Sequence, residues 1–100
     1  MNSSQPLNPS PRVAFDLAAM EVSIDGTSVP LTKTEFGIFE FLDRRKGTIC
    51  SRREIIDAVQ GQDYPVTERS VDVQIVSLRK KLGETGKRIT TIRGKGFRFE

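Results

Sequence analysis

Histidine and tryptophan are absent from this 100-residue chain, and cysteine occurs once, at Cys50. Without histidine there is no Ser-His-Asp triad and no metal–imidazole site. A single cysteine excludes an internal disulfide and a zinc site of the usual kind. No apolar run approaches the ~20 residues that a membrane span needs, and no signal peptide is recognisable. These absences predict a soluble, cytoplasmic domain that is not an enzyme and needs neither a metal nor a cofactor.

The charged residues are distributed unevenly along the chain. The chain is 36% apolar and 29% charged with a net charge of +3, which is ordinary for one globular domain. Residues 67–100, however, hold nine Lys and Arg against four Asp and Glu, an excess larger than that of the whole chain. Such a basic third suits a surface that binds a polyanion, although a solvated helix face followed by a basic tail would give the same excess.

The N-terminal third divides into a tail and a region of short strands. Residues 1–11 contain three prolines and little to bury, which predicts a disordered linker or the cut end of a longer chain. The folded domain is therefore predicted over residues 12–100. Between Val13 and Val29, short apolar runs flank an Asp25-Gly26 turn, a pattern that favours two or three antiparallel strands.

Two capping boxes predict where the first two helices begin. Residues 32–35 are Thr-Lys-Thr-Glu and residues 51–54 are Ser-Arg-Arg-Glu, in which a hydroxyl and a glutamate can satisfy each other's backbone N–H groups. Apolar residues cover more than half of the first helix, so Phe36, Phe39 and Phe41 are interpreted as core residues and not as a platform for stacking bases. Cys50, between the helices, is interpreted as a small buried apolar residue.

The third helix is predicted over residues 67–82, with Thr67 as N-cap and Gly83 directly after its end. At about 100° per residue, one narrow stripe of this helix is apolar and faces the core: Val71, Ile75, Leu78 and Leu82. Arg69, Val73 and Lys80 point the opposite way. A single valine on a solvent face is common, but beside two cations it suits a helix lying in the DNA major groove, where valine can contact a thymine methyl.

Two side chains next to this helix have alternative roles. Asp72 in its first turn can complement the helix dipole, pair with a nearby basic side chain or accept a hydrogen bond from a cytosine amino group. Arg52 or Arg53, at the start of the second helix, is expected to contact a phosphate.

The C-terminal residues 89–99 predict a β-hairpin around a Gly-Lys-Gly turn. Thr91 and Arg93 share one face of it by strand alternation. Lys95 is at the tip, between glycines that would let the backbone approach a phosphate or the minor groove, whose negative potential favours arginine. An edge hairpin protected from aggregation by its charges is the competing interpretation.

Together these elements indicate an α+β fold, a winged helix-turn-helix with an N-terminal antiparallel sheet, three helices and a hairpin wing. Four segments carry a resemblance to the OmpR/PhoB-type DNA-binding domain of bacterial response regulators: residues 31–36, 51–55, 69–82 and 89–99. The resemblance covers residues 13–100. It implies sequence-specific double-stranded DNA binding in the control of transcription, with the third helix in the major groove and the wing in the minor groove.

The resemblance also implies individual contacts and partners. Base-edge or groove contacts are expected from Asp72, Val73, Ser77, Arg79 and Arg93, and DNA-backbone contacts from Arg69, Gln74, Thr91 and Phe97. Tandem binding to direct repeats is implied, together with contact between the 61–66 loop and RNA polymerase and a receiver domain in the full-length protein. The chain departs from the family where Tyr is usual (Phe97), where His is frequent (Gln74) and where basic residues often stand (Val76 and Ser77).

One hundred residues leave no room for a receiver domain, so the chain is expected to be either the effector half of a longer protein or a stand-alone transcription factor. A protein-interaction module on a winged-helix scaffold is the main alternative function. An RNA-binding domain would need exposed aromatic residues for stacking, and an enzyme is the least favoured class.

Overall fold

The computed structural model describes residues 12–60 and 66–100, so the predicted linker at 1–11 lies outside the described residues. Its elements in chain order are β1 (Val13–Asp16), β2 (Glu21–Ile24), β3 (Thr27–Val29), α1 (Lys33–Arg44), α2 (Arg52–Val59), α3 (Glu68–Leu82), a 3₁₀ segment (Gly83–Arg88), β4 (Ile89–Ile92) and β5 (Gly96–Phe99). This order confirms the predicted winged helix-turn-helix with an N-terminal sheet and a C-terminal hairpin.

The N-terminal sheet has three antiparallel strands in the order β1-β2-β3. Asp25 and Gly26, both at positive φ, make the tight turn between β2 and β3, as a two-residue hairpin requires. The ring of Phe15 packs against those of Phe36 and Phe39 on α1, with centroids 5.8 and 5.2 Å apart. These aromatic contacts join the sheet to the helical part of the domain.

All three helices begin at a capping box. The hydroxyls of Thr32 and Ser51 accept from the N–H groups of the glutamates three residues on. The carboxylate of each glutamate accepts in turn from the backbone N–H of its N-cap residue. Thr67 caps α3 in the same way, with Ser70 in place of the glutamate. Each box satisfies backbone N–H groups that have no partner inside the helix, which is why these starts could be located from the sequence.

One hydrophobic core lies between the three helices and the wing. It includes the predicted stripe of α3 together with Phe39, Leu42, Ile55 and Phe99. Phe36, Phe39 and Phe41 are all buried, which confirms that they are core residues. Cys50 is fully buried, and this burial is the main reason that the pKa of its thiol is raised.

The wing is tied to the segment between α1 and α2. Strand β5 pairs with β4 on one side and with Cys50 on the other, where the N–H of each of Cys50 and Phe97 donates to the other's carbonyl at 2.8 and 2.9 Å. A Cβ on Gly96 would lie 2.1 Å from the carbonyl oxygen of Cys50. The expectation that this glycine serves an approach to DNA is therefore corrected: it is needed for packing inside the protein.

A further element was not predicted. The sequence analysis assigns no element to residues 83–88, yet they form the 3₁₀ segment that connects α3 to β4, with Thr85 and Gly86 buried. A Cβ on Gly86 would lie 2.4 Å from the carbonyl oxygen of Arg79, so this connection passes close to the last turns of α3.

Candidate nucleic-acid interface

Helix α3 carries the first part of the candidate interface. Its apolar stripe is buried in the core, which fixes its rotation and turns the opposite side outward. Arg69, Val73, Val76 and Lys80 are exposed there, Val73 to 62% and Val76 to 52%. We call these four residues the outer face of α3. The sequence predicts Arg69, Val73 and Lys80 on this side, and the structure adds Val76.

The wing turn carries the second part. The N–H of Lys95 donates to the carbonyl of Ile92 at 2.9 Å and closes the turn, which leaves Arg93, Gly94 and Lys95 exposed. Thr91 is exposed on β4, directly opposite Phe97 in the register. Arg93 and Lys95 therefore project their charges at the end of the hairpin, as predicted.

Cations without a partner are concentrated on these two surfaces. Among residues 66–100, all of which the structure describes, four basic side chains make no ion pair or hydrogen bond: Arg69, Lys80, Arg93 and Lys95. The others are engaged, for example Lys81 with Glu35 and Lys87 with Glu84, at 2.8 and 3.0 Å. The basic excess of this third of the chain is thus left uncompensated on the outer face of α3 and at the wing tip.

Arg79 joins α3 to the wing. Its Nε and Nη2 donate to the carbonyl oxygen of Ile89 at 3.0 and 2.7 Å, and Nη2 also donates to Oγ1 of Thr91 at 2.8 Å. The half-buried guanidinium is thereby directed along β4. Nε and Nη2 are thus committed to the wing, which gives Arg79 a positioning role, and its expected contact with base edges stays a prediction.

Phe97 and Ser77 also point into the protein. The Phe97 side chain is only 3% exposed and belongs to the core, so its ring cannot lie against a DNA backbone. The hydroxyl of Ser77 donates to Oε2 of Glu35 on α1. The expected DNA contacts of both side chains are corrected for these reasons, while Gln74 remains half-buried on the flank of α3.

Glu35 is the centre of a polar network that holds α3 against α1. Its Oε1 accepts from Nζ of Lys81 at 2.8 Å and from the N–H of Thr32 at 2.9 Å, while Ser77 bonds the other oxygen. Burial opposes ionisation, but the hydrogen bonds from Lys81, Ser77 and Thr32 outweigh it and hold the pKa of Glu35 below its ordinary value. Sequence spacing predicted the capping bond alone, because Ser77 and Lys81 are more than forty residues away.

Arg52 connects α2, α3 and the wing. Its Nε lies 2.8 Å from Oδ1 of Asp72, and its guanidinium lies over the ring of Phe97 at 5.0 Å from the centroid. Of the alternatives for Asp72, pairing with a nearby basic side chain, that of Arg52, is the one present in the structure. The neighbouring Arg53 makes a longer pair with Glu68, at 3.7 Å.

Other kinds of site are not evident in the described ranges. A shallow depression of about 250 Å³ lies on the N-terminal sheet and is lined by residues of β1–β3 and their turns, none of them from α3 or the wing. In residues 12–60 and 66–100, no three acidic or cysteine side chains come together as metal ligands would. Over the same ranges, no helix has both the length and the apolar character of a membrane span.

The chain is similar to regulatory proteins along most of its length. Residues 26–99 match the family described as transcriptional regulatory protein, C terminal. The atypical response regulator protein ChxR of Chlamydia trachomatis serovar L2 is 40% identical over 85 residues, which are 85% of this chain and 37% of that protein. The transcriptional regulatory protein VxrB of Vibrio cholerae is 38% identical over 88 residues, 88% of this chain and 35% of that protein. The chain thus spans little more than a third of the length of these two relatives.

Solved structures give the same picture. The DNA-binding domain of the response regulator AdeR, crystallised in complex with an intercistronic region, superposes with a TM-score of 0.76 at 30% identity, covering 88% of this chain and 93% of that one. The Klebsiella pneumoniae RstA DNA-binding domain, in complex with the RstA box, superposes with a TM-score of 0.73 at 33% identity, covering 87% and 89%.

Proposed function

The chain belongs to the OmpR/PhoB-type family of C-terminal domains of transcriptional regulatory proteins, and on this premise we propose that it binds double-stranded DNA sequence-specifically. It does so as the effector domain of a bacterial two-component response regulator, in the cytoplasm. The family is one of DNA-binding regulatory domains and not of enzymes. The observation that carries the proposal is the set of four unpartnered cations on the outer face of α3 and at the wing tip.

The outer face of α3 suits the major groove. An α-helix fits that groove in width, and the core stripe holds the opposite side of α3 inside the protein. Arg69 and Lys80 then contact phosphates near the two ends of the helix, and Val73 contacts base edges between them. Gln74, on the flank, donates to the DNA backbone.

The wing suits the adjacent minor groove. Arg93 enters it, where the negative potential of a narrow groove favours arginine, while Lys95 and Thr91 contact the neighbouring phosphates. Arg79 supports this arrangement from behind, since its bonds to Ile89 and Thr91 hold the wing at a fixed position relative to α3. Arg52 lies next to both α3 and the wing, where it contacts Asp72 and Phe97. Its guanidinium can therefore contact a phosphate while it keeps part of its pairing with Asp72.

Two of the neighbouring structures support DNA binding, because they are complexes with an intercistronic region and with the RstA box. In the full-length protein we propose a receiver domain, tandem binding to direct repeats and contact between the 61–66 loop and RNA polymerase. Residues 61–65 of that loop lie outside the described residues.

A protein-interaction module is the second candidate, and the exposed apolar pair Val73 and Val76 is the observation in its favour. The flanking Arg69 and Lys80 argue against it, because an interface core is depleted of charge. The two candidates differ in their response to duplex DNA, which makes them separable in one assay.

The test compares the affinity of the 100-residue chain for a duplex selected from random DNA with its affinity for a scrambled duplex. Lys80→Ala is expected to weaken both interactions about equally, because a phosphate contact carries no sequence information. Lys87→Ala removes the same charge from a side chain paired with Glu84 and is expected to change neither. Equal effects of the two substitutions, or equal affinity for both duplexes, would contradict the proposal.

A further inference from the structure

Val73 and Val76 form an exposed apolar pair in the middle of the outer face of α3. They are three residues apart and therefore neighbours on one side of the helix, and they are exposed to 62% and 52%. In residues 12–60 and 66–100 the only other large apolar side chain with comparable exposure is Leu17, in the turn after β1. The pair is thus a local feature of α3 and not part of a generally apolar surface.

Cations border this apolar pair at both ends. Arg69 precedes Val73 by one turn and Lys80 follows Val76 by one turn, so the two cations are separated by about 16 Å along the helix axis at 1.5 Å per residue. The major groove is about 12 Å wide. Two cations at this spacing can reach phosphates on opposite sides of the groove, and the valines between them then face its floor.

The side chains that could form hydrogen bonds to bases near this pair are engaged elsewhere. Arg79 is bonded to the wing, Ser77 to Glu35, and Asp72 to Arg52. The centre of the outer face therefore presents the methyl groups of Val73 and Val76, while Gln74 lies half-buried on the flank. The only apolar group that unmodified base pairs display in the major groove is the C5 methyl of thymine.

We propose that Val73 and Val76 together contact the C5 methyl groups of neighbouring thymines, so that the bound DNA site has thymines beneath the centre of α3. This inference rests on the proposed function and specifies what part of the sequence is recognised. A protein partner would bury the same valines but would leave Arg69 and Lys80 without anions, whereas DNA satisfies both the apolar pair and its charged borders.

The test removes single methyl groups from the DNA. Duplexes bound by the 100-residue chain are selected from random sequence, and each thymine of the selected site is then replaced by deoxyuridine, which keeps every base-pairing group. We expect a loss in affinity of about fourfold per contacted methyl, the equivalent of ~0.8 kcal/mol for a buried CH₂-sized group, at two neighbouring positions.

Protein variants assign the effect to the valines. Val73→Ala and Val76→Ala are each expected to weaken binding to the thymine duplex and to abolish the effect of deoxyuridine at one position. Both positions are exposed, so the fold should be retained, which far-UV circular dichroism checks. Leu17→Ala, at an exposed apolar position in the turn after β1, is the matched control and should keep the full deoxyuridine effect.

The outcomes separate this inference from the proposed function. If the chain prefers the selected duplex but no deoxyuridine weakens binding, or if the effect persists in both alanine variants, the methyl contacts are refuted while DNA recognition stands. If the chain shows no preference among duplexes, the proposed function fails and this inference fails with it.

Discussion

Nε of Arg52 lies 2.8 Å from Oδ1 of Asp72, which joins the start of α2 to the second turn of α3. The same guanidinium covers the ring of Phe97 on β5. One side chain thus bridges the two helices of the helix-turn-helix and the wing. The pair also neutralises a carboxylate on the helix that we propose to enter the major groove.

Removing either partner of this pair should have unequal effects on DNA binding. Arg52→Ala removes a cation and leaves Asp72 unpaired near phosphates, so it should weaken binding by more than Asp72→Ala does. The double variant should recover part of the loss. Because both side chains are partly exposed, we expect a coupling of about 0.2–1 kcal/mol, measured as a double-mutant cycle of DNA affinity. Additive losses in the two single variants would rule out this bridging role.

Glu35 should make the stability of the domain sensitive to acid. Its folded-state pKa is lowered, so its contribution is fully present above the ordinary value of 4.5 and is lost as the pH falls through the folded-state value. At pH 7, Glu35→Gln should reduce the free energy of unfolding by about 1.5–3 kcal/mol, typical of hydrogen bonds to a charged group. Urea unfolding between pH 7 and pH 3 measures both effects, and the Gln variant should show the smaller decline in acid.

Glu84→Gln provides the control for this prediction. Glu84 pairs with Lys87 on the surface, and both side chains are largely exposed, so its substitution should change stability by less than about 1 kcal/mol. A similar loss in the two variants would mean that the buried network around Glu35 does not stabilise the fold.

Gly96→Ala should destabilise the domain more than Gly94→Ala. Both glycines have positive φ, but a Cβ at Gly94 meets open space, whereas one at Gly96 would lie 2.1 Å from the carbonyl oxygen of Cys50. The difference should be about 1–3 kcal/mol, the usual cost of overpacking. Thermal or urea unfolding of the two variants measures it, and equal stabilities would show that β5 does not depend on this close approach.

Arg79→Ala and Arg69→Ala should differ in their dependence on salt. Since Arg79 holds the wing and Arg69 has no described partner, only the Arg69 substitution should remove a phosphate contact. We expect Arg69→Ala to reduce the slope of log K against log salt by about 0.9. Arg79→Ala should weaken specific binding with the slope unchanged. An altered slope in the Arg79 variant would show that its guanidinium contacts a DNA phosphate directly.

Arg93→Ala should affect specificity more than overall attraction. An arginine in a narrow minor groove responds to the sequence-dependent shape of the groove. The substitution should therefore weaken binding to the selected duplex more than binding to a scrambled one, in contrast to Arg69→Ala, which should weaken both alike. Equal losses of affinity for the two duplexes would show that Arg93 contacts a phosphate and does not read the shape of the groove.

The sequence predicted the features that depend on local chemistry. Capping boxes located the starts of α1 and α2, Thr67 and Gly83 bounded α3, and the period of its apolar residues separated its buried side from Arg69, Val73 and Lys80. These features depend on contacts within a few residues, which is why spacing alone was sufficient.

The corrections all concern contacts between distant segments. Ser77 and Arg79 lie on polar sides of α3, and nothing in their spacing indicates that one meets Glu35 on α1 and the other Ile89 on β4. Phe97 was assigned to DNA by resemblance, but packing places its ring in the core, beneath Arg52.

The salt dependence of binding to a duplex that holds a single selected site tests the central claim most directly. Arg69, Lys80 and Lys95 each neutralise one phosphate in the proposed complex, which predicts a slope of about −2.7 or steeper in log K against log salt, at −0.9 per phosphate. Binding to the selected duplex should be tighter than binding to a scrambled one at every salt concentration. A slope near zero with equal affinity for the two duplexes would contradict the account.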